Sequence, residues 1–183
     1  SEAKAYIEKE YESVEKVSSI MRTGIPAVNA ILQAKRVMCE NRGILMNIDV
    51  RTALHELPVP PWEFCRVLGN LIDNAIHALS DSGPNRVLSI ELFEDLSHFR
   101  FSVKNNGPAI PEGLLEKIFE AGFSTRDNGD GMGLAICRRI LARHGGYLNV
   151  VSTPEQTVFE GGVSRKAPKA MALSGDENDS WSV

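Results

Sequence analysis

The sequence predicts an α/β (α+β) fold, a two-layer sandwich in which one mixed, mainly antiparallel sheet is covered by helices on a single face and preceded by a helical linker. Three observations lead there. Apolar residues recur at helical spacing from Trp62 to Leu79. The runs Val87 to Phe93 and Phe99 to Val103 read as a hairpin joined by a charged turn near Glu94-Asp95. The order along the chain, helices first and then strands mixed with helices, suits one sheet with a helical layer.

Taken in order, Ala3, Tyr6, Ile7, Tyr11, Val14 and Val17 stand three and four residues apart with charges between them, which is an amphipathic helix. Thr23-Gly24-Ile25-Pro26 breaks it, since Gly and Pro end helices and Pro can open the next. A second helix is predicted from Ala27 to Asn41, with Val28, Ile31, Leu32 and Val37 on one side and Gly43 as its stop. Ile44 to Val50 reads as a strand, and Leu57 to Pro61 as an extended connector. Phe64, Val67, Leu68, Leu71, Ile72, Ala75 and Leu79 form the apolar face of the long helix, which Ser82-Gly83-Pro84-Asn85 ends. After the hairpin, a Gly/Pro-rich stretch from Asn105 to Pro111 leads to a short helix, Glu112 to Phe119. A glycine-rich loop runs to Gly133, a helix follows from Leu134 to Arg143, and Gly145-Gly146 turns the chain. Tyr147 to Ser152 and Thr157 to Phe159 supply closing strands. From Ser164 onward the chain is poor in apolar residues and reads as a disordered tail. The organisation is residues 1–23 as a helix and linker, 24–163 as one folded domain, and 164–183 as tail.

Composition excludes several classes. The net charge of −4 gives no reason to expect nucleic-acid binding. No apolar run approaches the roughly 20 residues needed to cross a bilayer, and the polar N-terminus is unlike a secretory signal. Cys39, Cys65 and Cys137 are odd in number and widely spaced, without a CxxC metal pattern, so a reducing cytoplasm is expected. The intact protein can still carry a membrane anchor elsewhere.

Three segments carry chemistry. In Asn70-Leu71-Ile72-Asp73-Asn74-Ala75-Ile76-His77, Asn70 and Asn74 are four apart and share a helix face with His77. Neutral amide oxygens suit a hard cation already held by phosphate oxygens and water, as Mg²⁺ usually is. Two isolated asparagines alone are better read as a solvated stripe. In Val103-Lys104-Asn105-Asn106-Gly107-Pro108-Ala109-Ile110-Pro111, a strand runs into a tight turn, and Gly107, lacking Cβ, allows close approach of a flat ligand. Alone this is only a turn. In Gly129-Asp130-Gly131-Met132-Gly133-Leu134, alternate glycines expose backbone N–H groups ahead of a helix whose positive end suits an anion. The pattern is neither GxxxxGK[ST] nor a strand-borne GxGxxG, so a P-loop and a dinucleotide fold are not indicated.

The order of these pieces resembles the ATP-binding domain of histidine kinases, part of a wider fold shared with type II topoisomerases, mismatch-repair ATPases and a heat-shock chaperone. NLIDNAIHAL resembles the family's N box and VKNNGPAIP its G1 box. Ile118 to Thr125 resembles its F box, and GDGMGLAICRRILARHGG its G2 box. The four ordered matches cover roughly Glu63 to Ser152. TGIPAVNAILQAKRVMCENRGI also looks like the linker of citrate/dicarboxylate-type sensor kinases.

The resemblance implies ATP and Mg²⁺ as cofactors. Asn74 would coordinate the metal with Asn70 assisting, and His77 would stand near the phosphates; Asn70 and His77 are the candidate catalytic residues. Asn105 replaces the family's usual adenine-reading Asp; its carbonyl oxygen can still accept a hydrogen bond, without charge assistance. Gly107, Ala109 and Ile110 belong to the same turn, with Ala109 where a second glycine is usual. Phe119 and Phe123 would pack a lid, Ser124, Thr125 and Arg126 could add hydroxyls and a cation, and Gly129, Gly131, Met132, Gly133 and Leu134 would close over the phosphates. A solvated loop competes equally for Arg126. ATPase relatives commonly carry Glu at the place of Asn70 to activate water, and an amide cannot take that proton.

A kinase of this kind needs a phosphoacceptor histidine on a helix. His55-Glu56-Leu57 imitates one but runs into Pro58, Pro60 and Pro61, where no helix continues. His98 sits in the hairpin, and His144 at a helix C-terminus, where it complements the dipole. The acceptor is therefore expected on a dimerisation helix absent from this chain, with a response regulator as the onward partner. The full-length protein is expected to be a homodimer and this piece a monomer. Two alternatives use the same fold: a catalytically degenerate nucleotide-binding regulator, motivated by Asn105 and Ala109, and an anti-sigma-type serine kinase.

Overall fold

The computed structural model describes residues 23–51, 54–80, 82–125 and 129–165. The helix expected over residues 3–17 and almost all of the expected tail lie outside them. The described helices are α1 (Pro26–Glu40), α2 (Pro61–Ser80) and α3 (Gly133–Arg143); the strands are β1 (Ile44–Val50), β2 (Arg86–Glu94), β3 (His98–Asn105), β4 (Tyr147–Ser152) and β5 (Thr157–Ser164). The sheet order is β1-β2-β3-β5-β4. β1 and β2 run parallel because α2 lies between them in the chain, and every other pairing is antiparallel.

Alternation along the strands puts Leu88, Ile90, Leu92, Phe99, Phe101, Val103, Phe159 and Val163 on the buried face. α2 lays its apolar side in the same core, and all nine of its buried positions from Glu63 to Leu79 keep helical spacing. Phe64 meets the edges of Phe99 and Phe101 at ring-centroid separations of 5.0 and 5.4 Å. α1 packs on α2 and β1, and α3 on α2 and β4, so the helices form one layer. Glu63, although buried, is satisfied: Arg143 donates to it at 2.8 Å and His144 pairs with it at 2.7 Å. His144 thus does more than complement the α3 dipole, because it ties the end of α3 to the start of α2.

Several expectations need correction. Val37 is 46% exposed, not buried with Val28. The two are nine residues apart, and at about 100° per residue they face opposite ways. The single short helix expected over Glu112 to Phe119 is two 3₁₀ turns, Glu112–Leu114 and Lys117–Phe119. Neither turn has a side-chain cap, and Phe119 is drawn into the core against Phe159. β5 does not stop at Phe159 but continues through Gly161-Gly162 to Ser164, which pairs with His98. Glycines weaken a strand on propensity alone, yet here they make room. A Cβ on Gly161 would run into the Phe101 ring, and one on Gly162 would meet the Tyr147 ring at 2.7 Å. The β2–β3 turn is held by Asp95, whose carboxylate accepts from the backbone N–H of Ser97, from Arg100 Nε and from the N–H of His98 at 2.7–2.8 Å. These bonds, the Ser97 N–H first, keep its carboxyl well below the usual carboxylate range.

Candidate functional site

A cleft of about 320 Å³ opens between α2, the turn after β3 and the loop that leads into α3. Asn74, His77 and Ala78 face it from α2, while Gly129, Asp130 and Gly131 face it from the loop. The amide-bearing helix and the glycine run, far apart in sequence, therefore share one pocket.

Asn70 has a different position from Asn74. It is not among the lining residues; its Nδ2 donates to the Gly133 carbonyl at 3.3 Å and to Cys137 Sγ at 3.6 Å. It pins the first turn of α3 to α2. The Cys137 thiol in turn donates to the Val67 carbonyl at 3.7 Å, and burial pushes its pKa up to about 11.

The turn after β3 also lines the cleft. Asn105 is buried, lines the cleft, and accepts the Gly107 N–H on Oδ1 at 3.0 Å. Gly107 is required: an added Cβ would lie 2.9 Å from that oxygen and 3.1 Å from the Ala78 carbonyl. Gly107 itself does not line the cleft, whereas Ala109 and Ile110 do. Asn106 clamps the turn to β2, accepting from the Val87 N–H and donating to the Asn85 carbonyl, each at 2.8 Å. The Ile110 N–H donates to Ser152 Oγ at 2.8 Å, and Ser152 shares a 2.6 Å hydrogen bond with Thr157. Thr157 is buried, lines the cleft and is the cross-strand partner of Asn105. Sequence reasoning missed it, because only the β3–β5 register brings the two residues together.

The loop side is built on close backbone contact. Gly131 has φ +64°, and its Cβ, if present, would sit 2.5 Å from the Gly122 carbonyl carbon and 2.6 Å from Phe123 backbone atoms. Gly122 N–H donates to the Gly131 carbonyl at 3.1 Å. Phe123, Ser124 and Thr125 line the cleft, as does Leu134. Met132 and Gly133 lie just behind it, with the Met132 N–H bonded to Asp130 Oδ1 at 3.1 Å. Phe119 also stands back: it packs edge-on against the cleft-lining Phe159 at 6.4 Å, and the Arg138 guanidinium caps it at 4.2 Å. Arg126 lies outside the described residues.

The cleft lining includes the apolar Pro108, Ile110, Leu114, Ile118 and Phe159 and the polar Asn105 and Thr157. It also includes the Asn74 amide, the His77 imidazole, the Ser124 and Thr125 hydroxyls and the loop glycines. This suits a flat ring with a polar edge joined to a polar or anionic chain. Among the described residues no cluster of three or more His, Cys, Asp or Glu could hold a metal ion. A cation here fits only if the ligand supplies most of its oxygens, which matches the neutral Asn74 donor.

Residues 61–165 match the family described as histidine kinase-, DNA gyrase B-, and HSP90-like ATPase. The chain belongs to this family. The matched ATPase region begins at α2 and ends just after β5, so it contains the whole cleft. Among curated relatives, the sensor protein CitS of Halalkalibacterium halodurans is 35% identical over 136 residues, 70% of this chain and 25% of CitS. The sensory histidine kinase/phosphatase NtrB of Salmonella typhimurium is 33% identical over 119 residues, 61% of this chain and 34% of NtrB. The chain therefore spans about a quarter to a third of these ATPase-family relatives. The solved catalytic domain of histidine kinase ThkA matches with a TM-score of 0.64 at 31% identity, covering 75% of this chain and 93% of that domain. Among the described residues no helix is long and apolar enough to cross a membrane.

Proposed function

We propose that this chain is the ATP-binding catalytic domain of a two-component sensor histidine kinase. It would hold ATP with the adenine over Asn105 and Thr157 and the phosphates between α2 and the glycine loop. The observation that carries this reading is the shared cleft: Asn74 and His77 on one wall, Gly129 and Gly131 on the other. Asn105 accepts in place of a carboxylate, so adenine is read through a neutral amide oxygen. Asn74 would hold Mg²⁺ through its carbonyl oxygen, and the bound ion would neutralise charge on the phosphates. Asn70 assists by fixing the α3 turn rather than by touching the reacting atoms, and His77 faces the anionic chain.

The chemistry is transfer of the γ-phosphoryl group to a histidine imidazole. A nitrogen–phosphorus bond forms, the bond to the β-phosphate oxygen breaks, and ADP leaves. This needs positioning and charge stabilisation more than a base. The amide at Asn70, where water-activating relatives carry a carboxylate, favours phosphotransfer over hydrolysis. The acceptor histidine belongs to a dimerisation helix outside this chain, with residues 1–23 as its end and linker, 24–163 as the catalytic domain and 164–183 as a tail. The intact protein would be a homodimer and this piece a monomer, working in the cytoplasm. A ThkA structure is a complex with the response regulator TrrA, which supports a response regulator as partner here.

Titration calorimetry of ADP and ATP, with and without Mg²⁺, tests the reading. Magnesium-dependent ATP binding that Asn74→Ala abolishes is the expected result, and a wild-type chain that binds no adenine nucleotide would overturn it.

A further inference from the structure

An ion pair flanks the cleft-facing stripe of α2. Lys35, on α1, places its Nζ 2.6 Å from Oδ1 of Asp73. The lysine side chain is 12% exposed and the aspartate 47%, so a covered cation neutralises a carboxylate that reaches solvent. Asp73 directly precedes Asn74 and lies one turn before His77, and both of these line the cleft. Residues four apart on a helix differ by only about 40° around the axis, with Cβ atoms about 5–6 Å apart. Asp73 does not itself line the cleft, but it adjoins two residues that do, and His77, one turn on, lies within the reach of a helix neighbour. Left without Lys35, the carboxylate would repel the phosphates and compete for the imidazole that faces them.

We propose that Lys35 is a positioning residue for the nucleotide, acting through Asp73. By holding and neutralising that carboxylate, it keeps negative charge off the phosphate end of the cleft and leaves His77 directed into it. This rests on the nucleotide reading above. The cation comes from α1, ahead of the matched region 61–165, so a shift of α1 would unmask Asp73 and weaken nucleotide binding.

Calorimetry of Mg²⁺-ATP and Mg²⁺-ADP with K35M, D73N and the K35M/D73N double variant tests this, with thermal melting to establish that each is folded. A single unscreened charge near a polyanion is expected to weaken ATP binding about tenfold in K35M, and by less for ADP, with the effect shrinking at high salt. D73N should bind ATP at least as tightly as wild type, and the double variant should return to within about threefold of it. A bridge that only packs α1 on α2 gives the opposite result: D73N weakens binding, and the double variant stays as weak as K35M. That outcome, or unchanged binding in K35M, overturns the inference while leaving the nucleotide reading intact; a wild type that binds no nucleotide overturns both. Should K35M not fold, D73N alone decides, since tighter and weaker binding point in opposite directions.

Discussion

The side chain of Asn70 on α2 donates to the main-chain carbonyl of Gly133, the first residue of α3, at 3.3 Å. One amide thus ties the two walls of the cleft together, and the same Nδ2 reaches Cys137. Asn70→Ala should cost about 1 kcal/mol of stability, the usual worth of a part-buried hydrogen bond. It should also loosen the start of α3, read as faster amide hydrogen exchange around 132–135. Asn70→Asp should be worse, because a carboxylate would face a carbonyl without a proton to donate. Unchanged exchange in both variants would remove Asn70 as the pin.

The glycines of the loop are not equivalent. Gly131 combines a left-handed φ with backbone neighbours at 2.5–2.6 Å from any added Cβ, whereas a Cβ on Gly133 would find only ordinary contact with Asn70 at 3.6 Å. Gly131→Ala should therefore push the loop away from Gly122 and Phe123 and lower nucleotide affinity by an order of magnitude or more. Gly133→Ala should be tolerated in both folding and binding. Calorimetry on the pair checks this, and equal losses would show that loop geometry is not what Gly131 protects.

Much of this was legible in the sequence because the signals were local. The apolar face of α2, the hairpin and the helix after the glycine loop follow from periodicity, and the three polar segments follow from residue type and order. What was not legible depends on pairing at a distance. Thr157 became part of the site through its register with Asn105. β5 ran past Phe159 because the Phe101 and Tyr147 rings need the space above two glycines. Lys35 and Asp73 lie on different helices, and nothing in either segment announces the other. The Glu112 to Phe119 stretch failed differently: its composition allows a helix, but Phe119 docking on Phe159 selects two short turns instead.

The Glu63 cluster should respond asymmetrically to substitution. Glu63 is 6% exposed, while Arg143 and His144 are 58% and 26% exposed at their side chains. Replacing Glu63 by Gln leaves Arg143 and His144, both partly exposed, free to turn toward water, so the loss should stay near 1 kcal/mol. Removing both partners in an Arg143→Met, His144→Phe double variant strands a buried carboxylate and should cost about 3 kcal/mol or more. Urea unfolding of the two variants measures the difference, and a larger loss for Glu63→Gln would invert the argument.

Thiol chemistry gives a pH dependence with a definite sign. Burial raises the pKa of both Cys137 and Cys39 to about 11 from an ordinary value of 9.0, so the folded state holds the neutral thiol longer than the unfolded chain does. Below the unfolded value the contribution of each thiol is complete; as pH climbs through 9 toward 11 the unfolded chain loses the proton first, and stability falls. For Cys137 the two-unit gap corresponds to on the order of 2–3 kcal/mol lost across that window. Unfolding free energies at pH 8 and pH 10.5 should therefore differ more in wild type than in Cys137→Ala. At pH 8 the folded protein should also leave Cys137 unmodified by a maleimide that labels it readily in urea, since the thiolate is the reactive form and the folded site suppresses it. Equal alkaline losses in the two proteins, or prompt labelling of Cys137 in the native state, would mean that the thiol is neither as covered nor as neutral as its contacts with Val67 and Asn70 require.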